Sequence, residues 1–137
     1  MDLATSRCQA ADLIQTSGRA AVGITRGYPR FKLRYPVVAN LRELVPTREM
    51  LYLGDACTFD KMYRERLDDL GVDGVRKLLT DCVERANNDR LVLLCFENLD
   101  EPGKSCHRQI FAAWYEENTG RVVPELEPDV RQNRLFE

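Results

Sequence analysis

The chain has 137 residues, of which 44% are hydrophobic and 31% are charged, and its formal net charge is −2. This length suits one domain with one core, and the balance of apolar and charged residues is typical of a globular chain and not of a disordered one. No apolar run approaches the roughly 20 residues that a membrane-spanning helix needs, so we expect no membrane association.

The first part of the chain predicts short strands separated by loops. Residues 3–6 predict a short first strand, and residues 9–15 fit either a short helix or a loop. Residues 20–25 predict a strand because they are apolar and partly β-branched. Gly27 and Pro29 follow and end that strand in a loop.

The next segment is ambiguous in its periodicity. We interpret residues 37–45 as a strand that ends before Pro46. Thr47 has a side chain suited to capping a helix, which predicts a short helix through Leu53.

Two helices are predicted on either side of Gly71. Apolar side chains recur three and four residues apart both before and after this glycine, as they do in helices that pack on a core. The glycine itself is typical of the end of a helix. The stripe of the first helix contains Phe59, Met62, Tyr63, Leu67 and Leu70, and that of the second contains Val72, Val75, Leu78, Leu79, Cys82 and Val83.

A continuous apolar run at 91–96 follows the second helix. Such a run is typical of a strand buried on both faces, as in the centre of a parallel sheet. After a polar loop, Ser105 is placed to cap a last helix with an apolar stripe. Helices alternating with strands predict an α/β fold of three layers, a mostly parallel sheet flanked by helices. We expect one α/β domain over 1–123 and an extended tail over 124–137.

The last helix begins with the group that is most suggestive of chemistry. Cys106, His107 and Arg108 fall in its first turn, where unpaired N–H groups and the helix dipole attract anions. Positive side chains oppose that dipole, so His107 and Arg108 indicate an anionic partner, either a ligand phosphate or a buried carboxylate. The same field would stabilise a thiolate at Cys106.

Several roles stay open for these residues. Glu97 and His107 would form the proton-transfer pair if the protein is an enzyme, since histidine titrates near neutrality. Cys106 would be the nucleophile in a thiol enzyme. In the structural alternatives, Arg108 pairs with Glu97 or Glu101 to order the loop, while His107 and Cys106 are packed side chains.

The charge is unevenly distributed. Residues 1–48 hold eight Lys/Arg and three Asp/Glu, a balance of +5, and residues 49–137 hold twelve and nineteen, a balance of −7. A basic cluster of Arg26, Arg30, Lys32 and Arg34 follows the second predicted strand and either attracts phosphates or forms a solvated loop.

The cysteine spacing and the missing sequence motifs limit which metals and cofactors we expect the protein to bind. The five cysteines are widely spaced without a Cys-x-x-Cys pair, and there is one histidine, so we expect no metal site. No Walker, Gly-x-Gly-x-x-Gly or Gly-x-Ser-x-Gly motif is present, and we expect no cofactor. The N-terminus lacks the features of a signal peptide, so we expect a cytoplasmic protein with reduced thiols.

Several motifs together resemble a known family. They are Thr5-Ser6, residues 23–31 (GITRGYPRF), residues 63–67 (YRERL), residues 93–97 (LLCFE) and Cys106-His107-Arg108. In this order they resemble the family catalogued as domain of unknown function 488, over most of residues 1–127. The resemblance implies an α/β three-layer fold of bacterial or phage origin, without an assigned activity. It adds Thr25, where relatives commonly have Ser, and Tyr63 to the candidate ligand-binding positions, beside Arg26, Arg30 and Arg108.

The C-terminal tail contains a short docking motif. Gln132, Leu135 and Phe136 form a Gln-x-x-Leu-Phe pattern similar to the peptide by which bacterial DNA-processing proteins bind the sliding clamp. Leu and Phe would fill an apolar pocket and Gln would supply a directional hydrogen bond. The alternative is that these side chains fold back onto the domain.

Three hypotheses about function follow. The first is a DNA- or nucleotide-associated protein, with or without enzymatic activity on a phosphate-bearing substrate, recruited to DNA by its tail. The second is a non-catalytic module that binds a nucleotide or a protein, for example in phage–host interplay. The third is a thiol enzyme that uses Cys106.

Overall fold

The computed structural model describes residues 1–25, 33–52, 55–95 and 107–127, with residues 51–52 described by their backbone alone. The strands are β1 (Asp2–Arg7), β2 (Ala20–Gly23), β3 (Val37–Asn40) and β4 (Arg90–Cys95). The helices are α1 (Ala11–Ser17), α2 (Arg48–Tyr52), α3 (Ala56–Ala86) and α4 (His107–Thr119), with a 3-10 turn at Arg42–Leu44.

The four strands form one parallel sheet in the order β1-β4-β2-β3. Leu93 lies opposite Thr5 on one side and opposite Val22 on the other, so β4 is paired along both edges. The prediction of a central, fully buried strand in a parallel sheet is confirmed.

Helices cover both faces of the sheet. Side chains alternate along each strand, so neighbouring residues of β4 pack on opposite faces. Leu91 and Leu93 of β4 point into a core shared with α3 and α4. Val92 and Leu94 point to the opposite face, where Ile14 of α1 packs on them. This arrangement confirms the predicted α/β fold with a parallel sheet flanked by helices.

The predicted boundary between two helices is a kink in α3. Gly71 has φ 73° and ψ 164°, a conformation outside the helical region that side chains with a Cβ rarely adopt. The helix starts at Ala56, because the Asp55 carboxylate accepts a hydrogen bond from the Thr58 N–H and caps it.

The prediction of a strand over 37–45 is wrong beyond Asn40. After this residue the chain enters the 3-10 turn, which buries Leu44 completely. The Asn40 side chain pairs with the backbone of Thr25, donating to its carbonyl at 3.0 Å and accepting from its N–H at 3.4 Å. These two side-chain hydrogen bonds end the pairing of β3, and the chain then turns so that Leu44 packs in the core.

After α4 the chain returns to the sheet and lies along the outer edge of β1. The Thr5 N–H donates to the Pro124 carbonyl, and the Leu126 N–H donates to the Thr5 carbonyl, each at 2.8 Å. This short parallel pairing covers the exposed edge of β1. Residues 128–137 lie outside the described residues, so the domain and tail boundaries stay predictions. None of the helices in the described ranges is long and apolar enough to cross a membrane.

Candidate functional site

The sheet contains a topological switch point between β1 and β4. These neighbours end at the same register, with Arg7 opposite Cys95. From β1 the chain continues into α1 on one face, while from β4 it continues to α4 on the other face. In open α/β sheets, ligands bind in the crevice that such diverging connections leave at the carboxyl ends of the strands.

Arg108, in the first turn of α4, is fully buried, with 1% of its side chain exposed. Its Nε donates to Glu125 Oε1 and its Nη2 donates to Glu125 Oε2, both at 3.0 Å. Its Nη1 donates to Cys95 Sγ at 2.9 Å. Among the described residues, the carboxylate that pairs with Arg108 is Glu125. The predicted partners Glu97 and Glu101 lie outside the described residues, so that pairing stays a prediction.

Glu125 joins Arg108 to the edge of the sheet. The Thr5 hydroxyl donates to Glu125 Oε1 at 2.7 Å, so one carboxylate ties together β1, α4 and the segment that follows α4. Of the two anionic partners that the sequence leaves open, the described one is a carboxylate. The bidentate pairing compensates the Arg108 charge, and this favours a supporting role over direct contact with a ligand phosphate.

His107 is buried, with 6% of its surface exposed. Its Nε2 forms a hydrogen bond with the carbonyl of Ile24, which comes directly after β2. Burial lowers the pKa of His107 from 6.5 to about 4, the Ile24 hydrogen bond opposes this shift, and Arg108 adds to it. The imidazole is therefore neutral at pH 7 and fixes the start of α4 against the end of β2.

Tyr63 packs against His107. Their ring centroids are 5.5 Å apart in an edge-to-face arrangement. The Tyr63 hydroxyl donates to the Leu44 carbonyl at 2.6 Å, and burial raises the pKa of this phenol. The structure therefore brings together two of the predicted site residues, and it places Tyr63 in the core. Thr25 is also buried, next to the Ile24 carbonyl that His107 contacts.

The other candidate residues of the sequence analysis fall outside the described part of the chain. They are Arg26, Arg30, Glu97, Cys106, Gln132, Leu135 and Phe136. Their predicted roles stay predictions.

A cavity of about 400 Å³ lies beside the end of β1 and was missed by the sequence reasoning. It is bounded by the start of α1 and by the chain that leads into β3, with Cys8, Gln9, Asp12, Arg34 and Tyr35 in its wall. The Tyr35 hydroxyl donates to the Cys8 carbonyl at 2.7 Å and holds the two walls together. The loop after β1 lies at the carboxyl end of a strand, where ligands bind in open α/β sheets, and its position in the sequence could have indicated the cavity.

Cys95, the last residue of β4, is fully buried and disulfide-bonded. Cys8, Cys57 and Cys82 carry thiols. The expectation that all cysteines are reduced is therefore wrong at Cys95. Within the described ranges, no three His, Cys, Asp or Glu side chains are grouped as metal ligands.

Comparisons with protein-family models, with curated proteins and with solved structures found no match. The resemblance to the family catalogued as domain of unknown function 488 therefore stays a prediction that rests on its motif residues. Among these, Thr25, His107 and Arg108 lie at the carboxyl edge of the sheet.

Proposed function

We propose that the protein is a DNA- or nucleotide-associated protein that binds a phosphate-bearing ligand at the carboxyl edge of the sheet. The observation that carries the proposal is the switch point between β1 and β4, beside which the cavity lined by Gln9 and Arg34 opens. A concave site at this place in an α/β sheet is the usual location of a small-molecule ligand.

The basic cluster supports a ligand with phosphate groups. Its segment begins after Thr25, at the end of β2, and its last member, Arg34, lines the cavity. Arg34, the described member of the cluster, is therefore at the proposed site, and a guanidinium group can bind two phosphate oxygens at once. We assign the phosphate contacts to Arg26, Arg30 and Arg34. Arg108 has a structural role instead, because it is paired with Glu125.

The contacts of His107 favour a binding protein over an acid–base enzyme. A proton-transfer role with Glu97 requires a histidine that titrates near neutrality, whereas the pKa of His107 is lowered to about 4. Its Nε2 is already hydrogen-bonded to a backbone carbonyl. Both facts suit a side chain that positions the start of α4.

The tail extends the proposal to a macromolecular partner, the DNA sliding clamp. Residues 124–126 run parallel to β1, so the chain leaves the domain toward the carboxyl edge. The five Cα–Cα steps from Glu127 to Gln132 span at most about 17 Å. Clamp docking through Gln132, Leu135 and Phe136 would therefore hold the proposed site close to DNA.

The ligand proposal is tested by titrating the protein with nucleoside triphosphates and with short single- and double-stranded DNA. We expect Arg34→Ala to weaken binding by about tenfold, because one charge-assisted hydrogen bond is lost. Arg76→Ala is the matched control, since this exposed arginine lies on α3, on the opposite face of the sheet. Equal losses in the two variants, or no binding of any ligand, would refute the site.

Clamp docking has its own test. The intact chain and a chain that ends at Val130 are compared for binding to an immobilised bacterial sliding clamp, together with Leu135→Ala/Phe136→Ala. We expect binding only with both apolar anchors present. Equal binding of the intact and shortened chains would remove the clamp from the proposal and leave the ligand site untouched.

A further inference from the structure

Another cavity, of about 450 Å³, lies at the amino-terminal ends of β2 and β3. It is bounded by the second half of α1, by the segment that leads into β3 and by the end of α3. Its wall is mostly apolar and includes Ile14, Ala20, Ala21, Pro36, Val38 and Ala86. A cavity of this size with an apolar wall and a few polar groups is typical of a binding site for a small molecule.

Arg19 belongs to this wall and is a buried charge whose hydrogen bonding is incomplete. Its side chain is 9% exposed. Its Nη1 donates to Asp2 Oδ1 at 3.0 Å and to the carbonyls of Asp2 and Leu91, each at 3.2 Å. Its Nε is buried and has no hydrogen-bond partner among the described residues. Because buried polar groups are almost always hydrogen-bonded, this donor indicates an acceptor that the described residues do not supply.

Arg108 shows which acceptor fits this part of a guanidinium. Its Nε and Nη2 donate to the two carboxylate oxygens of Glu125, while its Nη1 donates to Cys95. The hydrogen bonds from Arg19 to described residues all come from Nη1. The edge of Arg19 that contains Nε and Nη2 therefore has the donors that a carboxylate binds in pairs.

The charge around the cavity also favours an anion. Its described wall contains two arginines, Arg19 and Arg34, and no acidic side chain. Gln15 Nε2 donates to the Arg34 carbonyl at 2.6 Å, which joins α1 to the segment before β3. The Asp2 carboxylate opposes Arg19, but its side chain is 54% exposed, so solvent screens its charge. An incoming carboxylate therefore meets a positive wall.

From these observations we propose that this cavity binds a small monocarboxylate with an apolar body. The carboxylate accepts hydrogen bonds from Nε and Nη2 of Arg19, and the body packs on the apolar wall, where burial of hydrocarbon adds to the affinity. The inference goes beyond the proposed function, because the phosphate-bearing ligand is assigned to the carboxyl edge of the sheet. Arg34 lies in the walls of both cavities, whereas Arg19 lines only this one and Gln9 only the other.

Calorimetric titration of the full chain with octanoate tests the class of ligand. Octanamide is the matched ligand without a charge, and acetate is the carboxylate without an apolar body. We expect octanoate to bind at least about tenfold more tightly than either control. Equal affinity for octanamide, or no binding of octanoate, would overturn the inference.

Substitution of Arg19 tests the anion contact. Arg19→Met removes the guanidinium, and we expect it to weaken octanoate binding by about tenfold or more. This variant leaves the Asp2 carboxylate in solvent, so we expect it to fold. Arg76→Met replaces an exposed arginine of α3 and is expected to bind octanoate as the wild type does. Equal binding by the two variants would contradict a contact with Arg19.

Filling the cavity gives a test that leaves Arg19 in place. Ala86→Phe occupies the space from the end of α3, and we expect it to abolish octanoate binding. Ala56→Phe, at the exposed start of the same helix, is the matched control and should bind normally. Normal binding by Ala86→Phe would place octanoate elsewhere and overturn the site.

The two cavities can be tested separately with one further variant. Gln9→Ala should weaken binding of a nucleoside triphosphate without changing the affinity for octanoate, and Arg19→Met should do the reverse. Octanoate binding without binding of any nucleotide would support the carboxylate site and refute the phosphate site alone. Octanoate binding that is lost in Gln9→Ala but kept in Arg19→Met would overturn the present inference.

Discussion

Replacement of Glu125 by alanine should destabilise the protein far more than loss of an ordinary surface carboxylate. The substitution leaves the guanidinium of Arg108, 1% exposed, without its bidentate partner. Breaking a buried ion pair from one side costs about 3–5 kcal/mol, and we expect the lower end because Glu125 is itself 32% exposed. A loss of about 3 kcal/mol corresponds to a fall in melting temperature of about 9 °C in a chain of this size.

The matched control is Glu117→Ala. Glu117 also pairs with an arginine, Arg64, and at a shorter distance of 2.7 Å, but its side chain is 59% exposed. We expect a cost below about 1 kcal/mol, since solvent screens an exposed pair. The free energy of unfolding is measured by urea denaturation at pH 7. Equal destabilisation by the two substitutions would refute the reasoning that burial, and not distance, decides the strength of the pair.

A double-mutant cycle separates the pair from its surroundings. Arg108→Met, Glu125→Ala and the double variant are compared with wild type under the same conditions. We expect the double variant to lose about 2 kcal/mol less free energy of unfolding than the two single variants lose together, because it contains no buried charge without its partner. Additive losses would show that the two side chains act independently.

Three further perturbations test the fold around the site. Gly71→Ala should cost about 1–3 kcal/mol, because its φ of 73° is strained for alanine, while Gly74→Ala, in the regular part of α3, should be neutral or stabilising; equal effects would contradict the kink. Tyr63→Phe should cost about 1 kcal/mol by leaving the Leu44 carbonyl without its donor, and a neutral result in urea denaturation would count against that bond. The pKa of His107 is lowered from 6.5 to about 4, so as the pH falls the unfolded chain takes up this proton before the folded protein does. The free energy of unfolding should therefore be constant above pH 6.5 and decrease by up to about 3 kcal/mol between pH 6.5 and pH 4. His107→Gln should lack that part of the slope, and an unchanged slope would refute a buried neutral imidazole.

Local patterns were sufficient to predict the centre of the fold. The apolar run at 91–96 predicted β4 as a strand buried on both faces, because both faces of a central parallel strand meet helices. Gly71 predicted the interruption of α3, since only glycine adopts its φ and ψ without strain. The start of α4 next to an anionic group was predicted from the two positive residues in its first turn.

Long-range pairing could not be predicted in the same way. Glu125 follows Pro124 in a segment without strand periodicity, and it reaches Arg108 because the chain returns to the edge of β1. No local pattern encodes that return. The end of β3 was also mispredicted, because the Asn40 side chain bonds to the backbone of Thr25, fifteen residues away. The cavity wall combines Gln9 with Arg34, which only the folded topology brings together.

The measurement that tests the central claim most directly is a ¹⁵N-resolved NMR titration of the full chain with a nucleoside triphosphate and a short DNA. We predict that the amide signals that shift most belong to residues 8–12, Arg34, Tyr35 and the first turn of α4, at the carboxyl edge of the sheet. Shifts confined to the opposite edge, around Asn87–Arg90, or a spectrum unchanged by every ligand would contradict a phosphate-binding site at the switch point between β1 and β4.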